Sequence, residues 1–189
     1  VFNDLEVAQL RISIAWLTLV PFVYKKIKTI ERTHLLPLLI VGFFGNGIPA
    51  FLFAKAQTVL DSSLVGILNA LVPIFTFIIG FIFFKIKFKK IQLFGVLIGF
   101  FGAFWLISFE GILLKNTIYS FYIIVATICY AISLNTIKIY LSKIDAVDIT
   151  GLALFSIGPI CFISLFFSNF SHKIINIDGA VVAFIYIFI

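Results

Sequence analysis

The sequence predicts an all-α, polytopic transmembrane helix bundle. Its 189 residues are 62% hydrophobic and only 12% charged, whereas a soluble domain carries about 25% charged residues. Apolar runs recur along the chain, and the charges collect between them or at their edges. Runs of about 20 apolar residues are long enough to cross a bilayer as helices. They also lack the alternating polarity of transmembrane barrel strands, and a soluble chain of this length could not bury so much apolar surface.

The run 62–84 shows the pattern most clearly. It holds 23 residues without a charge and as a helix is roughly 34 Å long, against a bilayer core of about 30 Å. Pro73 is its middle residue. Because proline has no N–H, the carbonyl of Asn69 loses its helical partner, and inside a membrane it must find another or face a wet cavity. We therefore expect a broken helix near the bilayer midplane.

The other runs follow in chain order. The first, 5–23, contains Arg11. The second, 35–54, is rich in glycine and proline at its centre, and both are poor helix formers. Gly158 and Pro159 interrupt the sixth run, 149–171, in the same way. We expect helix kinks at Gly45, Gly47, Pro49, Pro73 and Pro159.

The remaining runs lack prolines. The fourth run, 91–109, carries glycines along one side, and a G-x-x-x-G pair permits close helix packing. The fifth run, 118–137, is unusually polar in its middle, and a seventh begins at 179. The glycines expected to serve helix packing are Gly95, Gly99 and Gly102.

The basic residues predict the orientation. Cytoplasmic loops of membrane proteins carry an excess of Lys and Arg. In this chain ten such residues lie in the loops after the first, third and fifth runs, and three lie in the intervening loops. We therefore expect loops 24–34, 85–90 and 138–148 to lie in the cytoplasm. The ten are Lys25, Lys26, Lys28, Arg32, Lys85, Lys87, Lys89, Lys90, Lys138 and Lys143; the three are Lys55, Lys115 and Lys173.

The sequence lacks the residues that several other function classes would require. The charge of +6 sits in loops beside spans, which argues against a nucleic-acid partner. The sequence has no nucleotide-binding or nucleophile motif and no carboxylate pair within a span, so we expect no enzyme, catalytic residue or cofactor. His34 and His172 fall in loops on opposite faces, so we expect no metal site. Cys129 and Cys161 fall inside spans and should be buried free thiols.

A small polar set at membrane depth is the candidate site. A charge inside a span is costly and points to function, so Arg11 leads the set; the alternative is that it snorkels outward or pairs with Glu6. Asn46 lies between two glycines and could instead make only an interhelical hydrogen bond. Broken central helices with a few polar groups are typical of transporter sites. The candidate substrate-binding residues are Arg11, Asn46, Asn69, Tyr130 and Ser133.

Two stretches of the chain resemble a known family. The first comprises Ala56-Gln57-Thr58, Ser62 to Leu68 and Leu71-Val72-Pro73-Ile74-Phe75, and the second comprises Gln92-Leu93-Phe94-Gly95 and Gly99 to Gly102. Together they resemble the EamA domain of the drug/metabolite transporter superfamily. The spacing from Ala56 to Pro73 and on to Gly95 fits without a gap, and Arg11 is similar to an arginine common in the family's second helix. The sequence departs at Ile86, where the family commonly has a glutamate.

The resemblance implies a fragment of a ten-helix transporter with two inverted five-helix repeats. Residues 1–110 would form helices two to five of the first repeat, with the first helix missing. Residues 116–189 would begin the second repeat with helices six, seven and part of eight. The chain starts at Val1, contains no methionine and stops within an apolar run, so we expect a piece of a longer protein.

The expected function is that of an inner-membrane carrier. It would export or exchange a small metabolite by alternating access, with the lipid bilayer and the solute as its partners, and a homodimer is left open. An arginine suits a carboxylate-bearing solute such as an amino acid. One alternative is a non-transporting membrane scaffold or assembly protein, which predicts a bundle without a central cavity. Another is an intramembrane enzyme with its catalytic residues in the missing parts.

Overall fold

The structure, a computed structural model, describes residues 3–28, 30–86, 89–110 and 117–167. All regular elements in these ranges are helical, and the predicted all-α fold is confirmed. A 3₁₀ turn, Lys26–Lys28, follows the first helix, and a π-helical segment, Val41–Gly47, joins the second helix to the third. The α-helices are α1 Asp4–Val23, α2 Arg32–Ile40, α3 Ile48–Ala56, α4 Ser62–Asn69, α5 Val72–Ile82, α6 Lys90–Glu110, α7 Thr117–Tyr140, α8 Ala146–Leu154 and α9 Gly158–Phe167.

In the part of the chain that the structure describes, the helices match the first, second, third and fifth predicted spans. Within the described residues, four helical units are long and apolar enough to cross a membrane, and the bent pair α8–α9 makes a fifth if it counts as one span. In α6 the apolar stretch Ile91–Gly102 is shorter. The end of the sixth run and the whole seventh run lie outside the described residues, as do Lys87 and His172. The four units are Asp4–Val23, Arg32–Ala56, Ser62–Ile82 and Thr117–Tyr140.

The start of α1 is set by a capping box. Asn3 Oδ1 accepts a hydrogen bond from Asp4 N at 2.9 Å, and Glu6 Oε2 accepts one from Asn3 N at 2.8 Å. Reciprocal bonds of this kind satisfy N–H groups that a helix start otherwise leaves unpaired. The Glu6 carboxylate therefore has a structural role at this end of α1.

Three helix breaks occur four residues before a proline. A proline lacks the N–H that would bond the carbonyl four residues earlier, and its ring clashes with that carbonyl. For Pro73 that residue is Asn69, where α4 ends. For Pro49 it is Gly45, inside the π-helical segment. For Pro159 it is Phe155, the C-cap of α8, where the α8–α9 pair bends by 43°.

The bundle is organised around α7 and α1. Helix α7 contacts α2, the π-helical segment, α3, α4 and α5, while α1 contacts α3, α8 and α9. Asn135 of α7 links two helices, since its Nδ2 donates to Thr76 O on α5 at 3.0 Å and to Ala131 O at 2.9 Å. The apolar side chains form three buried clusters, at the α1–α2–α8 end, at the α3–α4–α7 end and between α1 and α9.

The glycines of α6 do not pack as the sequence suggests. A Cβ atom at Gly95, Gly99 or Gly102 would meet nothing within 4 Å among the described atoms. Close helix contact is instead made by other glycines. Gly42 lies against Ser156 and the carbonyl of Ala153, and Gly158 lies against Trp16.

Candidate functional site

A cavity of about 730 Å³ lies between α1, the π-helical segment, α3, α7 and α8, next to the break between α4 and α5. It is large enough for a small metabolite, because ligand pockets usually hold about 300–1,000 Å³. All five residues that the sequence singles out as substrate-binding line this one cavity: Arg11, Asn46, Asn69, Tyr130 and Ser133.

The π-helical segment places Asn46 at the cavity wall. In a π-helix the N–H bonds five residues back, as Ile48 N does to Phe43 O, and such segments often occur at functional sites. The Asn46 Nδ2 reaches back to Val41 O at a long 3.4 Å. Since this bond is weak, the half-buried Asn46 amide retains capacity to bind a solute.

Gly45 brings α7 close to this segment. A Cβ atom at position 45 would contact Ser133 Oγ and lie 3.2 Å from Ser133 Cβ. Ser133 is 4% exposed, so the hydroxyl is held between the two helices at the cavity edge. Tyr130, one turn earlier on α7, packs its ring against Phe53 of α3, with ring centroids 5.9 Å apart.

The break before Pro73 presents Asn69 to the cavity. Ala70 N donates to Gly66 O and Leu71 N donates to Leu68 O, after which Phe75 N donates to Leu71 O and α5 begins. These bonds turn the chain at the point where α4 stops. The exposed Asn69 amide lies on this turn and lines the cavity.

Arg11 carries the positive charge of the cavity. It is exposed and lies two turns into α1, where it lines the space shared with Tyr130 and Asn69. Among the described residues that line the cavity, Arg11 is the one charged side chain. Glu6, which the sequence suggests as an ion-pair partner of Arg11, accepts the capping-box hydrogen bond from Asn3 N.

Two further polar residues line the cavity and were missed from the sequence. Gln57 caps the end of α3, and Thr150 lies in α8; both are exposed. The sequence offered only weak signals, because Gln57 falls in a short turn and Thr150 falls near the start of a predicted span. The lining thus combines one cation with amides and hydroxyls on an apolar wall.

The other candidate residues lie elsewhere. Pro159 belongs to the α8–α9 break, which Trp16 covers with its ring 5.9 Å from that of Phe155. Cys129 and Cys161 are buried free thiols, as the sequence predicts. Over the described residues, no group of three or more His, Cys, Asp and Glu side chains could hold a metal ion.

Comparison with protein families gives a match over more than half of the chain. A model described as the EamA-like transporter family matches residues 1–108. These residues include Arg11, Asn46 and Asn69 and end within α6. Searches of curated proteins and of solved structures give no match.

Proposed function

Because the chain belongs to the EamA-like transporter family, whose members are membrane transporters rather than enzymes, we propose that it is part of a carrier for a small metabolite such as an amino acid. The carrier would export or exchange its solute across the inner membrane by alternating access. The proposal rests on one observation: the five polar residues that the sequence predicts to bind substrate all line the same cavity.

The helix breaks support a solute-binding role for this cavity. Two of the three breaks border it, one at Asn46 and one at Asn69. Transporters commonly bind solutes where interrupted helices leave backbone groups unpaired. A purely structural bundle gains nothing from such breaks, because each one forfeits backbone hydrogen bonds in a medium without water.

The chemistry of the lining favours a carboxylate. Arg11 presents a planar guanidinium that can hold a carboxylate through two parallel hydrogen bonds. Asn46, Asn69 and Ser133 supply neutral donors and acceptors for the rest of the solute, and Phe53 and Tyr130 supply an apolar surface. A zwitterionic or anionic small metabolite fits this combination.

Contacts between loops support the proposed orientation. Lys26, in the loop after α1, forms an ion pair with Asp148, near the start of α8. Two of the three basic loops therefore lie on the same face of the bundle, as the positive-inside rule requires of cytoplasmic loops. The scaffold alternative predicts a bundle without a central cavity, and a 730 Å³ cavity weighs against it.

The test compares metabolite pools in cells with and without the full-length protein. We expect one solute to accumulate inside the deletion strain and to be depleted from its medium. Arg11→Gln should behave like the deletion, whereas Arg32→Gln, a matched change at an exposed position outside the cavity, should behave like the wild type. Immunoblotting of membranes checks that both variants insert. Identical pools with and without the protein, over a broad set of growth conditions, would contradict the carrier proposal.

A further inference from the structure

One ion pair joins two parts of the chain that lie far apart in sequence. Lys26 Nζ lies 2.8 Å from Asp148 Oδ2, across 122 residues. The Lys26 side chain is 55% exposed, whereas that of Asp148 is 14% exposed. The hydrogen bond and the negative charge of Asp148 raise the pKa of Lys26 above its ordinary 10.5.

An apolar cluster, which we call the floor, lies at the same end of the bundle. It draws residues from α1, α2, the π-helical segment and α8, together with Leu141 just after α7. Gly151 of α8 packs directly on Val23 of α1, where a Cβ atom would lie 2.6 Å from Val23 Cγ1. The floor comprises Val23, Leu38, Val41, Leu141, Ile149, Leu152 and Ala153.

The floor separates the cavity from the ion pair. Val41 and Ile149 are floor residues that also line the cavity, and Ile137 packs against the floor and lines the cavity too. On the far side, Lys26 and Asp148 line a surface depression of about 270 Å³ with Glu31, His34, Lys143 and Asp145. The order along the bundle is therefore cavity, apolar layer and ion pair.

The opposite end of the cavity differs in character. Arg11, Gln57 and Asn69 line it there, and all three are exposed. Gln57 lies at one end of the bundle, and Arg11 and Asn69 lie about two turns inside that end, because α1 begins where α3 stops and α4 starts. Among the described residues, the cavity lining is thus polar at that end, whereas toward the basic loops it is formed by Val41, Ile137 and Ile149, with Thr150 as an exposed polar side chain.

We propose that the floor and the Lys26–Asp148 pair form the inner gate of the carrier, where α1 and α8 are packed together in this structure. The inference rests on the proposed function. For a solute to leave toward the basic loops, α1 and α8 must part between Val23 and Gly151, and the ion pair must break. A pair with one exposed partner suits this task, since such pairs add little stability and re-form readily.

The experiment measures access to the cavity rather than transport. A cysteine replaces Ile137 in the full-length protein, with Cys129 and Cys161 changed to serine, and membrane-impermeant maleimide is added from either side of oriented vesicles. Asp148→Asn should raise labelling from the basic-loop side by about two- to fivefold, the range expected for loss of an exposed ion pair. The exchanged pair Lys26→Asp with Asp148→Lys should restore the wild-type rate.

The control and the outcomes separate the gate from the carrier proposal. Asp145→Asn removes the same charge from the same end of α8, and because Asp145 acts on Lys26 less than Asp148 does, it should raise labelling less than Asp148→Asn. Equal labelling in the wild type and Asp148→Asn would overturn the gate, even in a protein that transports. A change in labelling that the exchanged pair reverses would support the gate, even if the metabolite comparison failed. If Asp148→Asn does not insert, Lys26→Gln tests the same pair.

Discussion

An alanine at position 151 should weaken the packing of α1 against α8. Its Cβ atom would lie 2.6 Å from Val23 Cγ1, 2.8 Å from Cγ2 and 3.2 Å from Cβ. Val23 is fully buried and cannot turn away, so one of the two helices must shift. Overpacking of this kind costs about 1–3 kcal/mol, and we expect Gly151→Ala to lower the free energy of unfolding by that amount.

A second substitution should relieve the clash. Val23→Ala alone removes two methyl groups and their packing contacts with α8, so it should also lower the free energy of unfolding. In the double variant the new Cβ atom occupies the space that the valine methyl groups leave. The double variant should therefore be about 1–3 kcal/mol more stable than the sum of the single effects, as expected for residues in direct contact.

The assay is unfolding of the purified full-length protein in mixed micelles, by titration with a denaturing detergent and with helicity as the signal. Gly99→Ala is the matched control, because a Cβ atom there meets nothing within 4 Å. It should leave stability unchanged or raise it by up to about 1 kcal/mol through helix propensity. Two results would refute the packing of α1 on α8. One is that the effects of Gly151→Ala and Val23→Ala on the free energy of unfolding are additive. The other is that Gly151→Ala lowers this free energy by no more than Gly99→Ala changes it.

Two further outcomes test the orientation and the core. A cysteine at Lys143 should react with impermeant thiol reagents only from the cytoplasm, and one at Thr58 only from outside; the reverse pattern would invert the bundle. Asn135→Leu should cost less than about 2 kcal/mol in the same unfolding assay, because interhelical hydrogen bonds in membranes are worth about 0.6–1.7 kcal/mol and its buried Oδ1 has no partner among the described residues. Asn135→Asp should cost more, since a carboxylate would face the carbonyls of Thr76 and Ala131; equal losses would show that the amide does not orient as described.

Helix positions were predictable from the sequence because charges bound the apolar runs. The predicted first span, 5–23, and the helix Asp4–Val23 differ by one residue at one end. The predicted fifth span, 118–137, is longer as a helix, which runs from Thr117 to Tyr140. Helix α7 extends past the apolar run, and Lys138 and Tyr140 are exposed at its end. A helix can continue in this way outside the hydrocarbon layer, where polar side chains are tolerated. Hydropathy alone does not locate that end.

Not every proline breaks its helix, so the pattern of breaks needed the structure. Pro21 and Pro37 lie inside α1 and α2 without a break. Pro21 comes near the end of α1, and the carbonyl that Pro37 leaves unbonded belongs to Thr33, in the first turn of α2. A single lost bond near a helix end is tolerated more easily than one in the interior. Pro49, Pro73 and Pro159 lie deeper in their spans, and there the chain breaks or widens.

The part of the candidate site that lies on a single helix face was predictable from the sequence. Tyr130 and Ser133 are three residues apart on α7 and so share a face, and both line the cavity. Asn135 is equally polar but lies two positions further, about 200° around the helix, and it bonds Thr76 on α5 instead. Gln57 was not predictable in this way, because the meeting of a helix end with a distant helix depends on tertiary packing.

The three helix breaks have different surroundings, and we expect them to have different roles. The breaks before Pro49 and Pro73 open onto the cavity through Asn46 and Asn69, so water or solute can reach the backbone groups that they free. The break before Pro159 is covered by Trp16, and Ser156 Oγ donates to Ala153 O beside it at 2.6 Å. A break that a tryptophan ring covers can change its angle without exposing polar backbone to lipid. We therefore expect the first two breaks to bind solute and the third to bend as α8 moves away from α1.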